Sequence, residues 1–403
     1  MVNYYKKQVE VAREFGVSEG TVTNWIKGGE EGKNKLQLIE FDGKKRIVKN
    51  EHNRVEMLNL TDSGKKFRPE DDFIDIEVSD ELYDILSENQ ILSLINSLTV
   101  NHEVPFKYVF MGKGGKLWDE FYNDTQVDKD YGGSALDYLL YKSFSFLEKY
   151  FERFDLINIV DVGAGNGKPI IELIKELHAS KKLNKYIAVD ISKTCLDIAK
   201  KNVSTIIPAE YIETVVQDVE IESFQSILYK HKKYDSDKKT ANIILVLGGT
   251  LGNCGLLQNQ IKALMNIRDG LFPEDYLIVT DGYDTVNNRT IFPTVDIPKG
   301  NQHAMYITRL LGIKDEYCEE LRIYNEETET REYKLMLSTG VNIKFTRLNT
   351  VVKLPKNTKI NVWKHRRDTF ESITTKMKES GMGLEYISKH PVDPIVLFMG
   401  KVL

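Results

Sequence analysis

The chain is poor in cysteine and proline and has no long apolar run. Its three cysteines, Cys195, Cys254 and Cys318, are odd in number, far apart and without a CxxC pair. That excludes a disulfide framework and a zinc knuckle, and leaves buried thiols as the expectation. The seven histidines form no HxxxH or HxH group, so no metal site is expected. Ten prolines, with 41% hydrophobic and 29% charged residues, exclude a disordered or fibrous chain and describe a globular one. No stretch approaches the roughly 18 apolar residues of a membrane span, and Met1 to Lys7 lacks the apolar core of a signal peptide. A cytoplasmic protein with no membrane partner is therefore expected.

Net charge is −5, unevenly spread. Residues 1–68 hold 14 lysines and arginines against 10 acids, about +4, so the remainder is about −9. In this basic head, Gln8 to Phe15 and Glu19 to Lys27 suit two short helices joined by a turn at Gly16-Val17-Ser18, with Ser18 as N-cap of the second. Ala12, Val17, Val22 and Ile26 would form its core, and Arg13, Thr21, Thr23, Asn24 and Lys27 would lie outside. LQLIEF and KRIVKN flank Asp42-Gly43, a turn pair that favours a hairpin. This head resembles winged helix-turn-helix domains of the MerR and excisionase type, which implies DNA contact through those five exposed residues and, because such modules often pair, a homodimer. The head is placed at 1–68. The charge changes sign through Lys65 to Asp72, and the second domain is placed at 76–403.

In that domain, apolar residues recur at helical spacing from Asp80 to Leu98, and an aromatic amphipathic stretch runs from Tyr138 to Phe154. Strands are predicted at Leu156–Val162, Tyr186–Val189, Ile212–Val216, Asn242–Leu247 and Tyr276–Thr280, each followed by a loop and most by helical spacing. The first opens into Asp161-Val162-Gly163-Ala164-Gly165-Asn166-Gly167 before a helix over Pro169 to Leu177. Glycine lets backbone approach a ligand closely, and the helix start offers unpaired N–H groups. The third glycine of a dinucleotide fingerprint would fall at Lys168, which disfavours NAD, whereas DxGxGxG is the form typical of S-adenosylmethionine (SAM)-dependent methyltransferases. Asp190 ends the second strand, where its carboxylate can accept two ribose hydroxyl protons, and Asp218-Val219 follows the third, where an acid and an apolar neighbour can meet adenine.

The fourth strand opens into Gly248-Gly249-Thr250-Leu251-Gly252-Asn253 and the fifth into Asp281-Gly282-Tyr283-Asp284. With FKYVFMGKGGKLWDEFY and Tyr131 upstream, residues 105–403 resemble the histidine Nα-methyltransferase family of ergothioneine biosynthesis, which carries a G-x-T-x-G-N loop after its fourth strand. The resemblance implies a SAM loop of Gly163, Gly165 and Lys168, with Asp190 on ribose and Asp218 and Val219 on adenine. It implies that Asn253 and Tyr131 act on the substrate amine or carboxylate, with Gly248 and Tyr283 beside them. One stretch departs from the family, which reads imidazole with a Glu-x-Ser pair on a late strand: residues 360–367 here read INVWKHRR. Trp363, Lys364, His365 and Arg366 would line that end of the pocket, a wall suited to something acidic, aromatic or larger than histidine.

The fold expected is α/β: a Rossmann-like SAM methyltransferase whose cofactor core spans about 150–290. A substrate lobe of about 290–365, with parts of 100–150, is inserted after the fifth strand, and the small winged helix-turn-helix precedes it all. A helix over Thr369 to Ser380 and strands at Leu384–Ser388 and Pro394–Val402 would close the sheet. The function expected is N-methylation of an amino-acid-like, peptide or small amine acceptor other than free histidine. The alternative is a DNA-binding transcription regulator whose Rossmann domain senses SAM or a metabolite.

Overall fold

The computed structural model describes residues 5, 7–15, 19–32, 36–41, 43–50, 52–53, 57, 73–127, 139–140, 142–143, 147–232, 238–294 and 302–403. The chain divides into two compact units, 1–73 and 74–403.

In the first unit, helices Gln8–Glu14 and Glu19–Glu30 accompany a hairpin of β1 (Leu38–Phe41) and β2 (Lys44–Ile47). Gly43 has φ +67°, the left-handed turn conformation that glycine adopts without a Cβ penalty. Val11, Ala12, Val22 and Trp25 pack with Ile47. Trp25, not Ile26, is the large buried side chain of the second helix, and Ile26 only flanks the core. The indole, one position earlier, takes the inward face with Val22, in line with the i, i+3 spacing of a helix. Arg13, Thr23, Asn24 and Lys27 are exposed and Thr21 is half-buried. The Thr23 hydroxyl is 3.1 Å from Gln8 Oε1 and Lys27 pairs with Glu31 at 3.9 Å. The anticipated turn, Gly16 to Ser18, lies outside the described residues.

The second unit is built on a seven-stranded sheet. β4 (Leu156–Val162), β5 (Leu183–Asp190), β6 (Ile212–Val216), β7 (Thr240–Val246) and β8 (Tyr276–Gly282) are parallel. β14 (Met382–Lys389) and β15 (Ile395–Val402) close the edge antiparallel, giving the order β14-β15-β8-β7-β4-β5-β6. The parallel strands carry apolar residues on both faces because helices cover both. Ile157, Ile159, Ile243 and Leu245 pack on one side with the helices Ile171–Ala179 and Lys193–Val203. Val160, Val162, Ile244 and Val246 pack on the other with Leu257–Arg268 and Phe370–Glu379. Strand order reverses between β4 and β7, which opens a crevice at the carboxyl ends of the strands.

A lobe is inserted between β8 and β14. β9 (Cys318–Asn325), β10 (Thr330–Leu337) and β13 (Lys359–Arg366) form one antiparallel sheet in the order β13-β10-β9. β11 (Gly340–Phe345) and β12 (Thr350–Leu354) join β3 (Phe73–Glu77) in another, order β12-β11-β3. The lobe core is completed from upstream, by Leu82, Leu94, Leu98, Tyr108 and Val109. The helical spacing of Asp80 to Leu98 resolves into two helices, Asp80–Ile85 and Glu88–Val100, because Ser87 caps the second in a reciprocal capping box with Gln90. Asp368, just after β13, ties lobe to sheet: its N–H donates to the Gly282 carbonyl at 2.8 Å and its carboxylate meets fully buried Lys376 at 2.5 Å. Among the described residues no helix is long and apolar enough to cross a membrane, and no cluster of metal-ligating side chains occurs. Of the three thiols only Cys195 is fully buried; Cys254 and Cys318 are half-buried.

Candidate active site

A cavity of about 470 Å³ lies in the crevice, lined by the loops that follow β4, β5, β6, β7 and β8. The glycine loop forms one wall. Gly163 and Gly165 have φ of +68° and +53°, and a Cβ on them would stand 2.5 Å from the Thr250 side chain and 2.6 Å from the Trp118 ring. Both positions therefore require glycine on conformational and steric grounds. Phe106, Phe110, Trp118, Phe121 and Tyr122, from the segment upstream of the sheet, form an aromatic wall opposite. His303 stands edge-on to Phe106 and Phe110, and burial pulls its pKa down to about 4, so it is neutral at pH 7.

Asp190 lines the cavity at the end of β5. Its Oδ2 accepts from Gly165 N–H at 3.1 Å and its Oδ1 from Ser192 N–H at 2.9 Å, which leaves each oxygen further acceptor capacity. Burial raises its pKa to about 6 against those backbone donors. Asp161, deeper in the same wall, is raised to about 7 by burial although the Tyr186 hydroxyl donates to it at 3.0 Å. Asp218 and Val219 also line the cavity. Asp218 is not free for a ligand amine alone, because Lys107 Nζ lies 2.7 Å from its Oδ2 and 3.0 Å from Glu220. Burial works against the charge on Lys107, but Glu220 and Asp218 outweigh it and hold its pKa above the ordinary value.

At the far end of the cavity stands Asn253, in the turn Gly252–Cys254. Its Oδ1 accepts from Trp363 Nε1 at 3.2 Å and lies 3.0 Å from His365 Nδ1. Indole N–H only donates, so the amide orientation is determined and its oxygen is the engaged end. His365 Nδ1 then donates to that oxygen, and its Nε2 lies 3.4 Å from Asp281 Oδ1. Burial would raise the Asp281 pKa, but His365 and Lys376 keep it below the usual value, and Asp281 Oδ2 is buried with no partner. Gly252 makes room for this pair: a Cβ there would lie 2.3 Å from His365 Cε1 and 2.8 Å from Asp281 Oδ1. Trp363 and His365 stack with planes 9° apart.

Several anticipated positions lie elsewhere. Lys168 is exposed, its ammonium is bonded to Asn123 and it does not line the cavity, since it opens the helical turn Lys168–Ile170 on the outer side of the loop. On β13 alternate side chains face opposite ways. His365 therefore reaches the cavity, while Lys364 pairs with Glu103 at 2.6 Å and Arg366 turns to Glu329 and the Thr328 carbonyl. Trp363 reaches the site only through Asn253 and does not itself line the cavity. Arg367, one residue beyond the strand, does. Tyr283, past the end of β8, lines a separate hollow of about 220 Å³ beneath Lys389, whose Nζ is 3.5 Å from its ring centre. Gly248 faces the main cavity with open space at its Cβ position. Tyr131 lies outside the described residues.

A family model described as histidine-specific methyltransferase, SAM-dependent, matches residues 88–399. The chain belongs to this family. It is a SAM-dependent methyltransferase, and the site fits that cofactor: the positive-φ glycine wall, the buried Asp190 acceptor and the aromatic wall suit a ribose and a sulfonium cation. No curated protein matches the methyltransferase in sequence. It is similar to a SAM-dependent methyltransferase structure from Clostridium acetobutylicum ATCC 824, at 11% identity over 71% of this chain and 98% of that one, TM-score 0.39. PH0226 from Pyrococcus horikoshii OT3 is 13% identical over 66% and 90%, TM-score 0.38. Magnesium protoporphyrin IX methyltransferase (ChlM) from Synechocystis PCC 6803 with bound SAH is 10% identical over 78% and 100%, TM-score 0.38. These scores add nothing to the family assignment.

Sequence reasoning passed over Asp281, Lys107, Glu220, Arg367 and the aromatic wall. Asp281 carried a usable signal, since it stands near the end of β8 as Asp190 stands at the end of β5. Lys107 and Trp118 lie within the segment whose family likeness was noted, but nothing local ties them to loops more than forty residues downstream.

Proposed function

We propose that the methyltransferase transfers a methyl group to the nitrogen of an amino-acid-like, peptide or small amine acceptor, and that free histidine is a poor one. SAM supplies the electrophilic methyl on a sulfonium, so the chain has mainly to bind, align and exclude water. Gly163, Gly165 and Asp190 would hold it, with Val219 against its base. At the other end, Asn253 presents its NH₂ to a carboxylate or carbonyl of the acceptor, and unpartnered Asp281 Oδ2 accepts from the amine. The observation that carries this reading is the engagement of Asn253 Oδ1 by Trp363 and His365, two residues of the stretch 360–367 that departs from the family's imidazole-reading pair. A site built to pair polar groups rejects ligands that leave them unpaired, and residues 360–367 carry no carboxylate to accept from an imidazole N–H.

The test is methyl transfer from tritiated SAM to a panel of amines, with wild type and Asn253→Ala. Turnover should fall at least about a hundredfold in the variant while SAM affinity stays within about threefold, in the range seen when one positioned hydrogen-bonding group is lost. Full activity of Asn253→Ala, or efficient methylation of free histidine, would refute the reading.

A further inference from the structure

Lys107 stands in the helical turn Phe106–Phe110, 111 residues before Asp218, yet its ammonium reaches two carboxylates of the loop that follows β6. Nζ lies 2.7 Å from Asp218 Oδ2 and 3.0 Å from Glu220 Oε2, so both oxygens are within hydrogen-bonding reach of one nitrogen. All three residues line the main cavity, and their side chains keep 20%, 11% and 32% exposure, so the cluster is open to a ligand there. The loop that carries the acids is closely tied. Ile221 and Glu222 N–H donate to the Asp218 carbonyl, Asp218 N–H donates to Glu222 Oε1 at 2.9 Å, and Asn266 Nδ2 donates to the Val219 carbonyl at 2.8 Å. Asp218 Oδ1 accepts from Glu220 N–H at 3.0 Å, so each carboxylate oxygen has a protein donor and keeps a lone pair for a ligand. Two carboxylates meeting in a half-buried wall repel each other, and one of such a pair ordinarily retains a proton. Burial raises the Glu220 pKa, Lys107 opposes it, and Asp218 and Glu103 add to the rise. Glu103 has a cation of its own in Lys364, at 2.6 Å, whereas Asp218 and Glu220 share Lys107.

We propose that Lys107 is a positioning residue for the cofactor: by compensating Glu220 it keeps Asp218 an ionised acceptor, and so makes the site prefer a 6-amino purine to a 6-oxo one. This rests on the reading that Asp218 and Val219 face the adenine. The exocyclic amine of adenine donates, and a carboxylate, which only accepts, pairs with it. The 6-oxo group of hypoxanthine accepts, so the same carboxylate sets acceptor against acceptor. Without the ammonium the Asp218 and Glu220 pair holds a proton, and a carboxyl O–H donates to a 6-oxo group, which removes the discrimination. A lysine that merely fastened the upstream segment to the loop would affect both bases alike.

The test is titration calorimetry of the full chain with S-adenosylhomocysteine and its deaminated analogue, S-inosylhomocysteine, on wild type, Lys107→Met, Lys107→Arg and Asp218→Asn, with a thermal melt of each. No methyl acceptor enters, so the outcome does not depend on the amine reading. Wild type should bind the adenine ligand about tenfold or more tightly than the 6-oxo one, as a site built to pair a polar group rejects the analogue that cannot pair. Lys107→Met should cut that ratio by about fivefold or more, whatever it does to each affinity, while Lys107→Arg, which restores the charge, should keep it within about twofold. Lys107→Gln gives the same comparison should the methionine variant not fold. Asp218→Asn should flatten the ratio too, because an amide can turn either its oxygen or its NH₂ to the base. If Asp218→Asn lowers the ratio but Lys107→Met leaves it unchanged, or Lys107→Arg lowers it as far as methionine does, the proposal is overturned and Asp218 keeps its place at the base. A ratio that Asp218→Asn does not move, or a wild type that binds both ligands equally, takes the adenine away from Asp218 and refutes the proposal with it.

Discussion

Replacing Asp190 by asparagine probes the cofactor end with the least disturbance of shape. Each carboxylate oxygen already accepts one backbone N–H, Gly165 at 3.1 Å and Ser192 at 2.9 Å, and retains a lone pair for a ribose hydroxyl. Hydrogen bonds to a charged partner contribute about 1.5 to 3 kcal/mol each. Asparagine keeps one acceptor oxygen but turns its NH₂ against one of the two backbone donors. The loss in SAM affinity should therefore be roughly 2 to 4 kcal/mol, or about 30- to 700-fold in Kd at 1.4 kcal/mol per decade. Titration calorimetry with SAM and S-adenosylhomocysteine measures it, and a thermal melt of the same samples separates binding from folding. The pH dependence supplies an internal check. Burial raises the Asp190 pKa from 3.8 to about 6, so the folded chain binds more protons there than the unfolded one, and ionisation becomes a cost to folding as pH rises from about 4 to about 6. Cofactor binding runs the other way, because only the ionised carboxylate accepts at both oxygens. Wild-type affinity should fall as pH drops from 7 to 5, and Asp190→Asn should lose that dependence. A variant that binds SAM within threefold of wild type, or a wild-type affinity flat over that range, refutes the reasoning.

Gly252→Ala would place a methyl 2.3 Å from His365 Cε1 and 2.8 Å from Asp281 Oδ1. Overpacking of this kind costs about 1 to 3 kcal/mol, and the displaced His365 ring should take acceptor turnover with it while SAM affinity is retained, as read by kinetics beside calorimetry. Lys376→Met removes the ammonium that meets Asp368 at 2.5 Å and Gln260 at 3.1 Å, with both charged side chains 0% exposed. Stranding a buried carboxylate should destabilise the catalytic unit by roughly 3 to 5 kcal/mol in urea denaturation, and Lys376→Met with Asp368→Asn should recover much of it. A loss under 1 kcal/mol would mean that water or a shift of the carboxylate satisfies Asp368 without the lysine.

Much of the cofactor end was legible because its signals are local. The glycine loop, Asp190 and Asp218 each follow directly on an apolar strand, and β4 and β6 occur at the residues anticipated. Parallel strands buried on both faces read as short apolar runs, and strand-end loops of such a sheet share one edge whatever the rest of the chain does. The acceptor end was legible only in outline. The WKHRR stretch marked a departure from the family, but which of Trp363, Lys364, His365 and Arg366 faces the site depends on strand register, which turns every side chain over with a one-residue shift. The break at Ser87 was written in the Ser-Gln capping box yet hidden beneath a continuous apolar spacing. The sequence by itself determined the parallel strands, the SAM-dependent methyltransferase class and the cofactor. Only the tertiary structure decided that Trp363 and His365 occupy Asn253, that Trp118 covers Gly165, and that Tyr324, Arg331 and His365 stand in one row, because antiparallel pairing and the inserted lobe join residues that no local pattern connects.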